Sequence, residues 1–398
     1  MLFLFIALFS LFFIYLAQRS FVWATAFITA FLPFYLIRFK IEFLPMTLLE
    51  LMILILAIVW LIKGEDKKLG NFKYPIVAWL IVATISVFVS PDLKTALGIW
   101  KAYFIEPILF FIVFINVIKT KKDLSLIFKA LGFSALYISL FAIWQKITGQ
   151  GVESLVSFGG QEVLRVTSVF GYPNAVGLFL APLILIFICQ KNKLSYWLLS
   201  LLALLAIIFA KSEGAIFGIL AGLIFLGLSL KFWRKFTLVG IIISIFLILF
   251  TPSLKNYFWQ KATLSDFSGQ IRKEMWQETL QMLKQKPILG AGLSGYQKAV
   301  TPYHKKSYIE IYLYPHNIFL NFWSELGIAG LIVFLWIIIK FFRTGLKNKN
   351  DIINISLNAA MVVLLFHGLV DAPYFKNDLS VLFWLIIGLK QLQNEITQ

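Results

Sequence analysis

Thirteen long apolar segments, separated by short polar ones, constrain this sequence more than any other feature. Each is close to the ~20 residues that a helix, rising ~1.5 Å per residue, needs to cross ~30 Å of hydrocarbon. The pattern predicts an all-α, polytopic membrane protein with 12–13 transmembrane helices, and the first segment decides between the two numbers. The segments are 2–17, 21–37, 46–62, 74–90, 102–118, 124–145, 172–189, 194–210, 214–230, 236–251, 317–339, 352–370 and 378–393.

The composition excludes the main alternatives to a helical membrane protein. Hydrophobic residues make up 60% of the chain and charged residues 14%, whereas soluble domains carry about 25% charged residues. Alternation with a period of two is absent, so a β-barrel is not indicated. Residues 1–398 are expected to form one integral membrane domain, in which residues 252–316 form a large extracytoplasmic loop.

Basic residues set the expected orientation. The net charge is +17, but the lysines and arginines cluster in short loops between apolar segments, so no nucleic-acid partner is expected. Eighteen basic residues fall in one set of alternating loops and eight in the other, leaving the long loop aside. Cytoplasmic loops carry the excess of Lys and Arg, so the first set is placed in the cytoplasm. Residues 146–171, 211–213, 252–316 and 371–377 then share the outer face.

The long outer loop contains a predicted amphipathic helix. Apolar residues at 271, 275, 276, 280 and 283 have helical spacing, and Ser268 is a candidate N-cap. Arg272 lies one turn before Trp276, beside the apolar stripe. An arginine at that depth suits a phosphate group, because its planar fork matches phosphate oxygens. The alternative is a solvated arginine whose stem covers apolar surface.

His316 and Asn317 open the apolar segment that follows this loop. A histidine in the first turn of a helix meets the positive end of the helix dipole, which favours the neutral ring that a general base needs. The alternative is a histidine that only caps the helix. Farther along the same segment is Glu325, and carboxylates inside membranes are costly and therefore candidates for function. Glu50, Glu106 and Glu213 share that argument more weakly.

Other candidate residues on the outer face are Arg165, Lys211 and Asp371. Arg165 supplies a second cation, and Asp371 lies four residues after His367, so that these two can meet on one helix face. The three histidines are scattered, so no metal site is expected. A Gly-x-Gly-x-x-Gly pattern at 290–295 lacks the preceding strand of a nucleotide site and is interpreted as a tight or flexible connection.

Three stretches resemble the O-antigen ligase and Wzy-type polymerase superfamily of bacterial membrane glycosyltransferases. The first is similar to the family pattern H-N-x-x-L-x4-E-x-G-x-x-G, the second is an arginine and tryptophan followed by Pro-Ile-Leu-Gly-Ala-Gly, and the third surrounds Arg165. The stretches from Asp371 to Trp384 and around Lys101 also look like the family. In this sequence the three motifs contain His316, Asn317, Leu320, Glu325, Gly327 and Gly330; Arg272, Trp276, Pro287, Gly290 and Gly292; and Arg165, Gly171, Pro173 and Asn174.

The resemblance implies an inverting glycosyltransferase without metal or other cofactor, at the outer face of the bacterial cytoplasmic membrane. Its donor would be a glycan on undecaprenyl diphosphate and its acceptor a glycan or lipid hydroxyl, as in lipopolysaccharide and other cell-envelope polysaccharides. His316 would be the base and Arg272, with a second arginine, would hold the diphosphate. Substrate-binding roles are expected for Arg165, Lys211, Asn317, Glu325 and Asp371. No nucleotide partner is expected.

One turn departs from the family pattern. Family members often carry an arginine in an S-R-G turn, whereas this chain has Lys211-Ser-Glu213-Gly214. Lys211 or Arg165 is a candidate for the missing charge, and Glu213 is a candidate to meet a basic or sugar group. Ligase, polymerase and protein-glycosylating members are not distinguished by the sequence. The alternative function is a solute transporter, similar to relatives described as bicarbonate transporters, to which the intramembrane carboxylates give modest support.

Overall fold

The chain is a bundle of helices with two short β-hairpins, as seen in a computed structural model that describes residues 2–41, 44–63, 67–156, 162–190, 194–306, 308–345 and 351–396. The helices are α1 (Leu2–Arg19), α2 (Phe21–Ala30), α3 (Leu48–Ile62), α4 (Lys73–Val89), α5 (Leu93–Trp100), α6 (Glu106–Val117), α7 (Lys121–Thr148), α8 (Pro173–Ile188), α9 (Leu194–Phe209), α10 (Glu213–Ser229), α11 (Lys231–Phe250), α12 (Pro252–Ala262), α13 (Phe267–Gln285), α14 (Tyr296–Val300), α15 (Ile318–Arg343), α16 (Ile352–His367) and α17 (Asn377–Ile396).

Each of the thirteen predicted apolar segments overlaps one of these helices, which confirms the all-α, polytopic class. By length and composition, four stretches of the described chain can cross a membrane, and eight apolar helices of 10–17 residues accompany them. Helix α2 has 10 residues, about 15 Å at the usual helical rise, and a 3-10 segment at Leu32–Leu36 follows it. The choice between 12 and 13 spans stays a prediction. The four long stretches are Leu93–Val117, Lys121–Thr148, Lys231–Phe250 and Ile318–Arg343.

Helix α17 forms the centre of the bundle, since its residues are buried along nearly its whole length. The loop before it is anchored by Tyr374, whose side chain is fully buried. The Tyr374 hydroxyl donates to the carbonyl of Tyr103 at 2.7 Å. It accepts the indole N–H groups of Trp79 at 3.3 Å and Trp384 at 3.2 Å. These bonds satisfy buried polar groups and fix the 368–376 loop on the core.

Two antiparallel hairpins lie among the connections. Strand β1 (Arg38–Ile41) pairs with β2 (Leu44–Thr47), and β3 (Glu153–Val156) pairs with β4 (Glu162–Arg165). The second hairpin ends at Arg165, a predicted site residue, so the strand pairing positions the backbone of that arginine.

The predicted amphipathic helix is present as α13, but its N-cap is Asp266 rather than Ser268, which lies inside the first turn. Its buried face shares Met275 and Leu283 with the predicted stripe, but Leu280 of the stripe is exposed and Met282 is buried in addition. Met282 and Leu283 pack against the segment that contains α14 and the start of α15. The helix therefore packs on protein along this face, which a prediction from helical spacing alone could not distinguish from packing on lipid.

Helix α15 is interrupted at Gly327, where the backbone takes a φ of +72°. This is the left-handed region, which costs residues with a Cβ energy. A Cβ at this position would also lie 2.0 Å from the carbonyl oxygen of Ile288. The next residue, Ile328, donates its N–H to that same carbonyl at 3.1 Å. Gly327 therefore lets the 286–295 loop bond directly to the interrupted helix.

The glycine-rich loop makes a second backbone contact with α15. Ala291 donates its N–H to the carbonyl of Ser324 at 2.7 Å. Gly290 has a φ of +66°, and a Cβ there would lie 2.4 Å from the same carbonyl oxygen. The glycines therefore form a tight turn that docks on the helix, one of the two connections predicted for them.

We expect the substitution Gly327→Ala to destabilise the protein, because it combines a left-handed backbone with a collision at Ile288. The cost should be on the order of 1–3 kcal/mol or more, seen as a lower Tm in detergent. Gly240→Ala is the matched control, since Gly240 is in α11 and has nothing within 4 Å of the added Cβ. Equal melting temperatures for the two variants would contradict the role assigned to Gly327.

Candidate functional site

His316 lies just before α15, and Asp371 from the loop after α16 holds its ring. Nδ1 of His316 is 3.1 Å from Oδ1 of Asp371. Helix α15 begins at Ile318 with Asn317 as its N-cap, so the prediction that His316 occupies the first turn was wrong. When Nδ1–H donates to the carboxylate, Nε2 of the neutral ring keeps its lone pair. The pair thus presents an imidazole with one nitrogen oriented and the other available to a substrate proton.

The backbone of His316 is held in an unusual conformation, with a φ of +45°. A non-glycine residue in this region costs about 1–3 kcal/mol and persists only where its surroundings enforce it. Asn317 provides part of that enforcement. Its side-chain oxygen accepts the N–H groups of Phe319 and Leu320, each at 3.1 Å, and its Nδ2 donates to the carbonyl of Leu369 at 3.0 Å. Asn317 therefore positions His316 against the loop that carries Asp371.

The carboxylate of Asp371 is buried and has partners on both oxygens. Nδ2 of Asn174 donates to Oδ2 at 3.0 Å, and the N–H of Ala372 donates to Oδ1 at 2.9 Å. Nε2 of His367 lies 4.0 Å from Oδ2. The two side chains are neighbours as expected, but not on one helix face, because α16 ends at His367 and Asp371 lies in the following loop.

These partners keep Asp371 ionised. Burial by itself raises the pKa of this carboxyl group. The hydrogen bond and charge of His316, the charge of His367 and the N–H of Ala372 outweigh burial and hold the pKa of Asp371 well below its usual range. A stable negative charge therefore lies next to the His316 ring.

Arg165 continues the network from the other side of Asn174. Its Nη2 donates to Oδ1 of Asn174 at 2.7 Å and to the carbonyl of Lys211 at 3.2 Å, while its Nε donates to the carbonyl of Ala210 at 2.7 Å. A chain of hydrogen bonds thus runs from Lys211 through Arg165, Asn174 and Asp371 to the imidazole. It joins segments that the sequence predicted to lie on one face.

The turn that departs from the family pattern forms an ion pair. Nζ of Lys261, on α12, lies 2.5 Å from Oε2 of Glu213 and 2.9 Å from Oδ2 of Asp266. Glu213 therefore meets a basic group, one of the two roles expected for it. Lys211 contributes its carbonyl to Arg165, and its own side chain is exposed.

Arg272 approaches the pair from α13. Its Nε donates to the carbonyl of Val370 at 2.9 Å and its Nη1 to the carbonyl of Ser268 at 3.4 Å. One turn later, the indole of Trp276 donates to the carbonyl of Pro315 at 2.8 Å. Val370 precedes Asp371 and Pro315 precedes His316, so α13 is fixed to both loops of the pair. Arg272 is part-buried beside the site. The alternative interpretation from the sequence was a solvated arginine.

The two arginines are close enough to influence each other electrostatically. Burial lowers the pKa of Arg165 from its usual value, Glu213 and Asp371 oppose that change, and the charge of Arg272 adds to it. A guanidinium has five N–H donors, and the bonds described above occupy three in Arg165 and two in Arg272. Two clustered cations with donors to spare suit an anionic ligand such as a phosphate.

Glu325 lies apart from this cluster. It is fully buried, nine residues beyond His316, and one of its oxygens accepts the N–H of Ser294 at 2.6 Å. Its backbone carbonyl accepts the hydroxyl of Ser86. These contacts fasten α15 to the glycine-rich loop and to α4. These contacts engage one carboxylate oxygen and the backbone of Glu325, and the substrate contact expected for this residue stays a prediction.

Lys376 is a residue that the sequence gave no reason to choose. Its Nζ lies over the rings of Tyr35, Phe170 and Tyr172, at 4.9, 4.7 and 4.6 Å from their centroids. Burial lowers the pKa of Lys376, while the charge of Asp378 opposes that change. Cation–π contacts of this kind are stabilising where water is excluded. They hold the loop of Asp371 against the segment just before α8, the helix that carries Asn174. A lysine in a sequence carries no signal for such a contact.

Comparison with known proteins supports the resemblance that the motifs indicated. Residues 198–335 match the model of the family described as O-Antigen ligase. A Rickettsia conorii protein provisionally named a polysaccharide ligase is 37% identical over 91 residues, which cover 21% of this chain and 22% of that protein. Residues 198–335, which match the family model, contain Arg272 and His316. Arg165 and Asp371 lie outside this range and are brought to the site by the fold.

The substitution Asp371→Asn should destabilise the protein at neutral pH by on the order of 2–3 kcal/mol, because it removes the buried charge beside His316. A depressed carboxyl pKa contributes stability above the ordinary value of about 4, and that contribution is lost as the pH falls through the lower folded value. The difference in Tm between wild type and variant should therefore narrow as the pH falls below about 4, where Asp371 of the wild type begins to take up a proton. A difference that does not narrow in this range would contradict the depressed pKa of Asp371.

Proposed function

Because residues 198–335 match the O-antigen ligase family, we propose that this chain transfers a glycan from an undecaprenyl-diphosphate-linked donor to an acceptor hydroxyl. The reaction takes place at the outer face of the bacterial cytoplasmic membrane. The observation that carries the proposal is the contact of His316 with Asp371 at 3.1 Å, next to Arg165 and Arg272. The pair provides a base, and the arginines provide a site for the diphosphate.

The acceptor is activated by His316. Nδ1–H is directed to the carboxylate of Asp371, so Nε2 takes the proton as the acceptor oxygen bonds to the anomeric carbon of the donor. The imidazolium that forms lies against the ionised Asp371, which stabilises its charge. A positioned base of this kind typically contributes 10²–10⁴-fold to the rate, as an order of magnitude.

Departure of the leaving group is the second part of the reaction. The bond between the anomeric carbon and the phosphate oxygen breaks as the new bond forms, and its electron pair stays on undecaprenyl diphosphate. A single displacement of this kind inverts the anomeric centre. Arg165 and Arg272 hold the diphosphate and neutralise its growing charge, and no metal ion is needed for that task.

The transporter alternative rests on carboxylates within the membrane, and two of these, Glu50 and Glu325, have partners within the protein. Glu50 accepts bonds from Thr47 and Asn377 and pairs with Lys101. Glu325 accepts from a backbone N–H, as described above. A transport path should present its charged groups to a cavity near the bilayer midplane. The partners of these carboxylates favour structural roles, so glycan transfer is the function that we propose.

The proposal predicts that His316→Ala and Arg272→Ala each reduce glycan transfer by about 10²-fold or more. Purified protein would be given a polyprenyl-diphosphate-linked glycan and an acceptor, with a chelator present, and the product measured. Arg272→Lys should recover only part of the activity, because an ammonium lacks the guanidinium fork.

Matched controls separate chemistry from folding. His304→Ala removes a histidine bound to Glu278 in the same outer segment, and Lys273→Ala removes an exposed cation next to Arg272 on α13. Both should retain activity. Wild-type activity in His316→Ala and Arg272→Ala would refute the site, and solute uptake into liposomes without any glycan transfer would favour the transporter.

A further inference from the structure

A pocket near the site is not used by the proposed reaction. It is a cavity of about 550 Å³ between the β1–β2 hairpin, α3, α5 and the start of α17. It adjoins the loop of Asp371, because Asn377, the first residue of α17 after that loop, lines it. Its lining includes Arg38, Lys40, Lys94, Lys101, Glu50 and Asn377.

The carboxylate of the pocket is fully engaged by its own surroundings. Glu50 accepts the N–H of Thr47 at 2.8 Å and Nδ2 of Asn377 at 3.0 Å, and it pairs with Nζ of Lys101 at 3.2 Å. Lys101 is further held by the carbonyl of Pro45 at 3.2 Å. One cation and one carboxylate therefore neutralise each other at the base of the pocket.

The remaining three cations are left with their charge. Arg38, Lys40 and Lys94 are exposed, and no ion pair involves them within the part of the chain that the structure describes. Asp92, close to Lys94 in sequence, is the N-cap of α5, where its carboxylate accepts the N–H of Thr95 at 3.2 Å and the Thr95 hydroxyl at 2.5 Å, and it does not line the pocket. The pocket therefore has a net positive charge, which calls for an anionic ligand.

The apolar surroundings indicate that the anion belongs to a lipid. Phe39, Met46 and Ile99 line the pocket between the cations. Next to Lys94 on α5, the side chains of Leu93 and Leu97 are 51% and 47% exposed. Cations above an exposed apolar surface match a phosphate headgroup with acyl chains beside it, whereas a free anion would gain nothing from the apolar walls.

We propose that this pocket binds the phosphate headgroup of an anionic membrane lipid through Arg38, Lys40 and Lys94. The lipid is distinct from the donor, whose diphosphate is assigned to Arg165 and Arg272. The site requires no glycan and no turnover, so it can be tested whether or not the transfer proposed above takes place.

The test measures lipid binding to the full chain in detergent by native mass spectrometry. Phosphatidylglycerol and phosphatidylcholine are compared at equal concentration, because they differ in headgroup charge. Wild type should prefer phosphatidylglycerol by about tenfold or more, since each basic residue near an anionic headgroup contributes to the attraction. The triple variant Arg38→Gln, Lys40→Gln, Lys94→Gln should lose that preference.

A control variant removes the same charge elsewhere. Lys284, Lys286 and Lys298 are exposed lysines of the segment around α13 and α14, and their change to Gln should leave the preference intact. If the triple pocket variant is poorly folded, Lys94→Gln alone should still reduce the preference by several-fold.

Three outcomes would overturn the proposal. The first is an unchanged preference in the pocket variants, and the second is an equal loss in the control, which would assign the effect to overall charge. The third is displacement of phosphatidylglycerol by inorganic phosphate at comparable concentration, which would make the ligand a free anion. Loss of transfer in His316→Ala has no bearing on any of these results.

Discussion

The arrangement of the site depends on one buried carboxylate. Asp371 accepts hydrogen bonds from the amide of Asn174 and the N–H of Ala372, and it contacts the ring of His316. An ionised carboxylate away from water is tolerated only where it is paired and hydrogen-bonded. Its need for partners therefore brings together distant parts of the chain, since Asn174 and Asp371 are 197 positions apart in sequence. A neutral residue would place no such demand on these loops.

The helix bundle and the segment around α13 hold this carboxylate from two sides. On the side of the core, Tyr374 fixes the loop of Asp371 through three hydrogen bonds with aromatic residues and backbone. On the other side, Arg272 and Trp276 bind the carbonyl groups that precede Asp371 and His316. Val370 and Pro315, whose carbonyl groups α13 binds, are adjacent in sequence to Asp371 and His316. Small movements of α13 would therefore change the geometry of the base and of the arginine together. Precise support of this kind is what positioned catalysis requires.

The sequence predicted those features that depend on local pattern. Segments of about 20 apolar residues specify helices, because a membrane leaves few other ways to satisfy the backbone. It also indicated His316 and Arg272 through short motifs. It could not predict where helices end to within a residue, and for that reason His316 was placed inside α15 and Asp371 on α16. It gave no indication of the partner of Glu325, because the N–H of Ser294 is a tertiary contact without a local signal.

The central claim is that His316 and Asp371 act as one unit in glycan transfer, and a double-mutant cycle measures this most directly. Rates of transfer would be compared for wild type, His316→Ala, Asp371→Asn and the double variant, each shown to be folded. Residues that act as a unit are strongly non-additive, so the double variant should be no slower than His316→Ala alone. Losses that multiply in the double variant would show that the two residues act independently, and would contradict the account.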